Sequence, residues 1–340
     1  MYKMKTSSIR NLTFSLFGPR SPLRIINNRG GPAPLGESLV VASASSTAAG
    51  NWWQKDTTIP SNPSSGDIRS IFSNVYSSGK NGWGIHTTPS PGIYSVFADA
   101  FGGSANQIGE PITEWVMRAL PEHRQTDKAV YQTLLGLTTY ECLKFGGGVF
   151  LGKATGSSDN DDDGVAVQSF QAGTLIRECT PKDFQPKGWF SKRIHDLQML
   201  WAYLVVTRRH HYGALDVMED RKYAAYRNRL FERGEHYLEK ANKVHLEHGP
   251  QEPHWHVMQV AVHPSGQGKG LGKNMLGMIN DLADEHSKAC YLETKGERNI
   301  HVYESMGYRV VGEYNLIQSE ISDDECTGVV GMVREPRQES

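Results

Sequence analysis

Between Val262 and Lys273 the chain reads Gly266-Gln267-Gly268-Lys269-Gly270-Leu271-Gly272, a glycine-rich loop that follows an alternating apolar run and precedes a helical pattern. Glycines lack a Cβ, so the backbone can approach an anion and aim successive N–H groups at it, and a helix starting there adds its partial positive end. Known phosphate loops differ in where their glycines fall. An NTPase loop counted back from Gly272-Lys273 would need glycine at Gln267 and a hydroxyl at Asn274. A dinucleotide loop started at Gly266 meets Leu271 where glycine is required, and started at Gly268 it meets Lys273. Both are excluded. What remains is an anion cradle of a different kind or a glycine-rich turn with no ligand, with Lys269 and Lys273 adding positive charge.

Two other clusters invite a metal. The stretch "HLEHGPQEPHWH" holds His245, His248, His254 and His256, but Gly249, Pro250 and Pro253 break any single helix face, and no cysteine or carboxylate completes a known ligand spacing. Asp159, Asp161, Asp163 and Gly164 match the start of a calcium loop, yet Phe170 stands where a bidentate glutamate is needed and strands flank the segment. The expectation is no metal, with the acidic segment forming the tip of a hairpin. Cys142, Cys179, Cys290 and Cys326 are too dispersed for a disulfide framework or zinc ribbon, which suits a reducing compartment.

The elements around the loop follow from composition and periodicity. Lys+Arg 36 against Asp+Glu 37 gives a formal net charge of -1, so nothing global favours nucleic acid or a membrane surface. No run reaches the roughly 18 apolar residues of a membrane span. The first 36 residues are basic, with no acid before Glu37. They read as a transit peptide for a mitochondrion or plastid, or as a basic tail on a cytoplasmic protein. From there to about residue 91, Ser, Thr, Gly and Pro dominate, so 1–91 is expected to be disordered and a domain to span 92–337. Within it come helical patterns in "YSVFADAFG", "PITEWVMRALP" and "KAVYQTLLGLTTYECLKFG", a hairpin from "GVFLGKA" to "VAVQSFQAG", and a helical block over about 189–244.

From residue 254 to 336 the order and motifs together resemble the GNAT superfamily of N-acetyltransferases. Gln267-x-x-Gly270-x-Gly272 fits its Q/R-x-x-G-x-G/A loop, "HWHVMQVAVHP" its fourth strand, "GKNMLGMINDLADEH" the next helix, "KACYLET" its fifth strand, and "ERNIHVYESMGYRVV" its last helix. The resemblance implies an α/β (α+β) fold with a mixed central sheet, flanking helices and a V-shaped splay between strands 4 and 5, the block at 189–244 being an enlarged insertion. It implies acetyl-CoA as co-substrate, its pyrophosphate on Gln267, Gly268, Lys269, Gly270, Leu271 and Gly272. The backbones of Val260 and Val262 would bond the pantetheine arm, Asn299 would contact it or cap the last helix, and Tyr303 would lie near the sulfur.

Acetyl transfer to an amine also needs a proton acceptor, since only about one aliphatic amine in a few thousand is neutral at pH 7. Family members carry a glutamate on the fourth strand for this; Met258 stands there, which leaves Glu293, His256 or a water chain. The N–H of Val260 would hold the oxyanion, and Tyr303 would donate a hydrogen bond to the departing sulfur. The acceptor is expected to be a small-molecule amine, with a protein amino group second. Glu320, Asp323, Asp324 and Glu325 lie between the last two strands, where a cationic amine could be steered or where the charges form only a solvated tip. The rival readings are a non-catalytic coenzyme A sensor and a transferase that uses a different acyl donor, which the cradle would bind equally well.

Overall fold

A computed structural model describes residues 67–76, 82–102, 110–160, 166–185, 188–210, 215–317 and 325–337. The described residues belong to one compact unit, Gly66–Ser340. The calcium-like loop centre and the acidic Glu320–Asp324 segment lie outside them.

The chain forms a seven-stranded sheet ordered β1-β2-β3-β4-β5-β7-β6, with β1 at Trp83–His86, β2 at Val149–Asn160, β3 at Ala166–Cys179 and β4 at His254–Val262. β5 is Cys290–Lys295, β6 Arg309–Ile317 and β7 Glu325–Arg334. The nine α-helices among the described residues are α1 (Ile68–Tyr76), α2 (Pro91–Phe101), α3 (Pro111–Met117), α4 (Lys128–Lys144), α5 (Trp189–Leu204), α6 (Leu215–Glu219), α7 (Ala224–His248), α8 (Leu271–Glu285) and α9 (Glu297–Glu304). Every strand pair is antiparallel except β4 with β5. Those two are joined through α8, and a helical crossover is what lets consecutive strands run parallel.

Two apolar layers sandwich the sheet. On one face Trp255, Val257 and Leu292 pack with Met275, Ile279 and Leu282 of α8 and with Ile68 and Phe72 of α1. The apolar side chains of α8 recur at helical spacing, so one face meets the sheet while the first turn stays free. On the other face Phe150, Phe170 and Leu175 meet Phe97 of α2 and Val130 of α4. Phe170, at the glutamate position of the calcium-like pattern, is therefore core. Ala241 and Val244 of α7 pack with Tyr314 and Leu316 of β6, and Arg334 of β7 holds Asp284 of α8 through a two-pronged pair at 2.8 and 2.6 Å.

Ordered structure begins before residue 92, where the domain was expected to start. α1 and β1 belong to the domain, β1 pairing with β2 as an edge strand. Ile68, Phe72 and Trp83 are buried, and a few large aromatics supply the apolar area that aliphatics lack there. The insertion is also longer than expected: α7 runs on to His248, placing His245 on its last turn. Among the described residues no helix is long and apolar enough to cross a membrane.

Candidate functional site

The cradle begins where β4 ends. A short turn at Pro264–Gly266 is capped by His263, and Gly268 and Gly270 then adopt φ of +75° and +74°. An L side chain there would be strained, costing about 1–2 kcal/mol, so these two glycines are dictated by conformation. A Cβ on either would meet nothing within 4 Å, so the space beside the loop is open. Gly270 is the N-cap of α8, and the first-turn N–H groups of Leu271, Gly272 and Lys273 have no intrahelical acceptor. Gln267 anchors the loop to the strand, its Nε2 donating to the Val262 carbonyl at 3.3 Å. Lys269 and Lys273 are exposed beside it.

The β4 backbone leading into the loop is irregular. Its pairing with β5 is confined to Trp255 with Cys290 and His256 with Tyr291; beyond that the strands part. Against β3, Leu175 pairs with Gln259 and Ile176 with Val257, so Met258 is an extra, bulged residue. Before the bulge, Trp255 N–H points toward β5 and donates to Ala289 at 2.9 Å; after it, His263 N–H points the other way and donates to Gln171 at 2.9 Å. Residues an even number apart on an unbroken strand would face the same neighbour. The bulge has therefore switched the parity, and the backbones of Val260 and Val262 face the gap. The Met258 side chain packs against the α2–α4 core.

Glu293 stands just past the last β4–β5 pair. Its Oε2 lies 2.8 Å from Nε2 of His256, and both side chains are almost fully buried. Burial alone would lower the His256 pKa, but the Glu293 carboxylate, helped by Cys179, overrides this and raises it to about 9. The pair thus holds one proton at neutral pH. Tyr303, on α9, packs against the α8 core, and burial, with Glu110 adding, raises its hydroxyl to about 12. So weak an acid can donate a hydrogen bond to a departing sulfur but not readily its proton.

Asn299 is not the helix cap. Gly296 takes that position with φ of +91°, and the exposed Asn299, one turn in, donates from Nδ2 to the Lys295 carbonyl at 3.1 Å. One residue escaped the sequence reading. Glu110 caps α3, its carboxylate accepting from Thr113 N at 2.6 Å and Thr113 Oγ1 at 2.7 Å. Burial raises the pKa of the Tyr237 hydroxyl, and both Glu293 and Glu110 push it further. The Glu-Pro sequence at a helix start was the available signal.

A mixed sheet that splays between two parallel strands, with a glycine cradle on the helix between them, defines the GNAT acyltransferase fold. Residues 232–310 match the family model for the acetyltransferase (GNAT) domain. An uncharacterized N-acetyltransferase of Schizosaccharomyces pombe is 38% identical over 90 residues, 25% of this chain and 35% of the relative. The chain thus matches about a third of that relative's length. Among solved structures, one titled histone acetyltransferase HPA2 and related acetyltransferase from Corynebacterium glutamicum has 18% identity and a TM-score of 0.37, over 74% of this chain and 92% of that one. Arylalkylamine N-acetyltransferase 2 of Aedes aegypti has 12% identity and a TM-score of 0.37, over 76% and 100%.

Proposed function

We propose that the protein is an N-acetyltransferase that moves the acetyl group of acetyl-CoA directly to a primary amine. The observation that carries this is the Glu293–His256 pair, 2.8 Å apart, at the point where β4 and β5 separate. It puts a proton acceptor where the thioester would end if the pyrophosphate sat on Gln267–Gly272 and the pantetheine arm ran along Val260 and Val262. Asn299 would flank that arm.

In this reading the amine nitrogen attacks the thioester carbon, the C–S bond breaks, and the sulfur leaves as a thiolate hydrogen-bonded by Tyr303. The Val260 N–H holds the oxyanion in between. The proton from nitrogen passes to the Glu293–His256 pair once that pair has released the proton it holds. Activity should therefore rise with pH toward about 9, the value to which Glu293 raises His256. A small-molecule amine is the first choice and a protein amino group the second.

A coenzyme A sensor is favoured by one observation, Met258, partly buried against the core, at the position where the family carries its base. Thiol release measured over a panel of aliphatic amines, aromatic amines and peptide amino termini separates the two. Turnover on any acceptor supports the transferase. Saturable acetyl-CoA binding with no thiol release on the whole panel supports the sensor.

A further inference from the structure

Four histidine and carboxylate side chains meet on the α7 side of β4. His245 is sandwiched between the rings of Phe184 and Tyr291, each with its centroid 3.7 Å away. Its Nε2 lies 2.7 Å from Nε2 of His254, and His254 Nδ1 lies 2.8 Å from the Glu252 carbonyl oxygen. A carbonyl only accepts, so His254 carries its proton on Nδ1 and accepts at Nε2. His245 must then donate from Nε2. Its Nδ1 is left with a bare lone pair, and that atom is buried without a partner.

A ring nitrogen of His245, a ring nitrogen of His256 and a carboxylate oxygen of Glu293 lie within 4.8 Å of one another. In a tetrahedral zinc site with bonds of about 2.1 Å, neighbouring ligand atoms stand about 3.4 Å apart. The shortest separation here, 2.8 Å between His256 and Glu293, lies below that value, and the set closes with shifts of about an ångström.

We propose that these three residues form a binding site for a transition-metal dication of the zinc type. The ion would take one ring nitrogen each from His245 and His256 and a carboxylate oxygen of Glu293, Nδ1 of His245 being buried without a partner. Two imidazoles and one carboxylate suit Zn²⁺ or Co²⁺ over Mg²⁺ or Ca²⁺. Outer partners that orient metal-bound imidazoles are present too: His254 accepts from His245, and Cys179 lies beside His256. The Arg177 guanidinium opposes the ion, which sets the affinity in a modest range. Three protein ligands leave a fourth position open. Because the ion takes both members of the proposed proton acceptor, it would silence transfer; that consequence rests on the proposed function, while the site itself does not.

The test is titration of the full metal-free chain with Co²⁺, read by visible d–d absorption and calorimetry, then displacement with Zn²⁺. One ion per chain with a low-coordinate spectrum is expected. Glu293→Gln and His245→Phe, the latter keeping a ring between Phe184 and Tyr291, should abolish the spectrum, and His254→Ala should weaken binding about 10- to 100-fold. Thermal melts of each variant confirm that it folds. Failure of the wild-type chain to bind Co²⁺ would overturn the proposal by itself, as would an unchanged spectrum in folded Glu293→Gln and His245→Phe. None of these readings uses acetyl transfer, so the site and the proposed function fail separately.

Discussion

The two ends of β4 use different parts of the chain. At its C-terminal end the cradle is made of backbone: positive φ at Gly268 and Gly270, free N–H groups at the start of α8, and few side chains beyond Gln267. At its N-terminal end the chemistry is all side chain, with His254 and His256 joined by His245 from α7 and Glu293 from β5. One end is exposed and built from consecutive residues; the other is buried and assembled from three elements. In the proposed function the first holds the part of the donor that does not react, and the second moves the proton. The bulge at Met258 lies between them and turns the Val260 and Val262 backbones into the gap.

Substitutions should separate these roles. Gly270→Val forces a β-branched residue to φ of +74°, at a cost of about 1–3 kcal/mol. Acetyl-CoA affinity measured by calorimetry should fall by up to about 100-fold while the rate at saturating donor changes little; loss of rate with intact affinity would break the division. Tyr303→Phe should act the other way, lowering kcat about tenfold for one hydrogen bond to a charged leaving group, with affinity nearly unchanged. A large loss of affinity would give Tyr303 a binding role instead.

The buried end also predicts a pH dependence of stability. His256 has an ordinary pKa of 6.5 and a folded value raised to about 9, so between these values the folded chain binds the extra proton. The pair's stabilisation is full below pH 6.5 and is lost as pH rises through about 9. Melting temperature should decline over that window in the wild-type chain and decline less in His256→Gln. The smallest effect is expected from Lys269→Gln with Lys273→Gln, a few-fold loss of acetyl-CoA affinity that shrinks at high salt because both side chains are exposed.

The same contrast explains what was legible in the sequence. The cradle is a run of consecutive residues whose glycines answer to local φ, so counting offsets was enough to exclude two phosphate loops and retain a third. The strand and helix around it follow from periods that survive in the folded chain. The histidine cluster was visible as residue types but not as a site. Gly249, Pro250 and Pro253 break the helix face between His245 and His254, yet they form the turn that brings the end of α7 back beside β4. Glu293 is 37 residues from His256, and only the parallel register of β4 and β5 makes them neighbours. Glu110 lies further still, and α1 and β1 were hidden by their Ser- and Gly-rich surroundings although Phe72 and Trp83 are core.

The central claim is that Glu293, held against His256 where the strands part, serves the proton transfer and not the binding of the donor. Glu293→Gln tests it most directly, with acetyl-CoA affinity and single-turnover acetyl transfer measured on the same preparation. The account predicts unchanged affinity and a rate lowered by about 10²- to 10⁴-fold. A rate within a few-fold of wild type would contradict it.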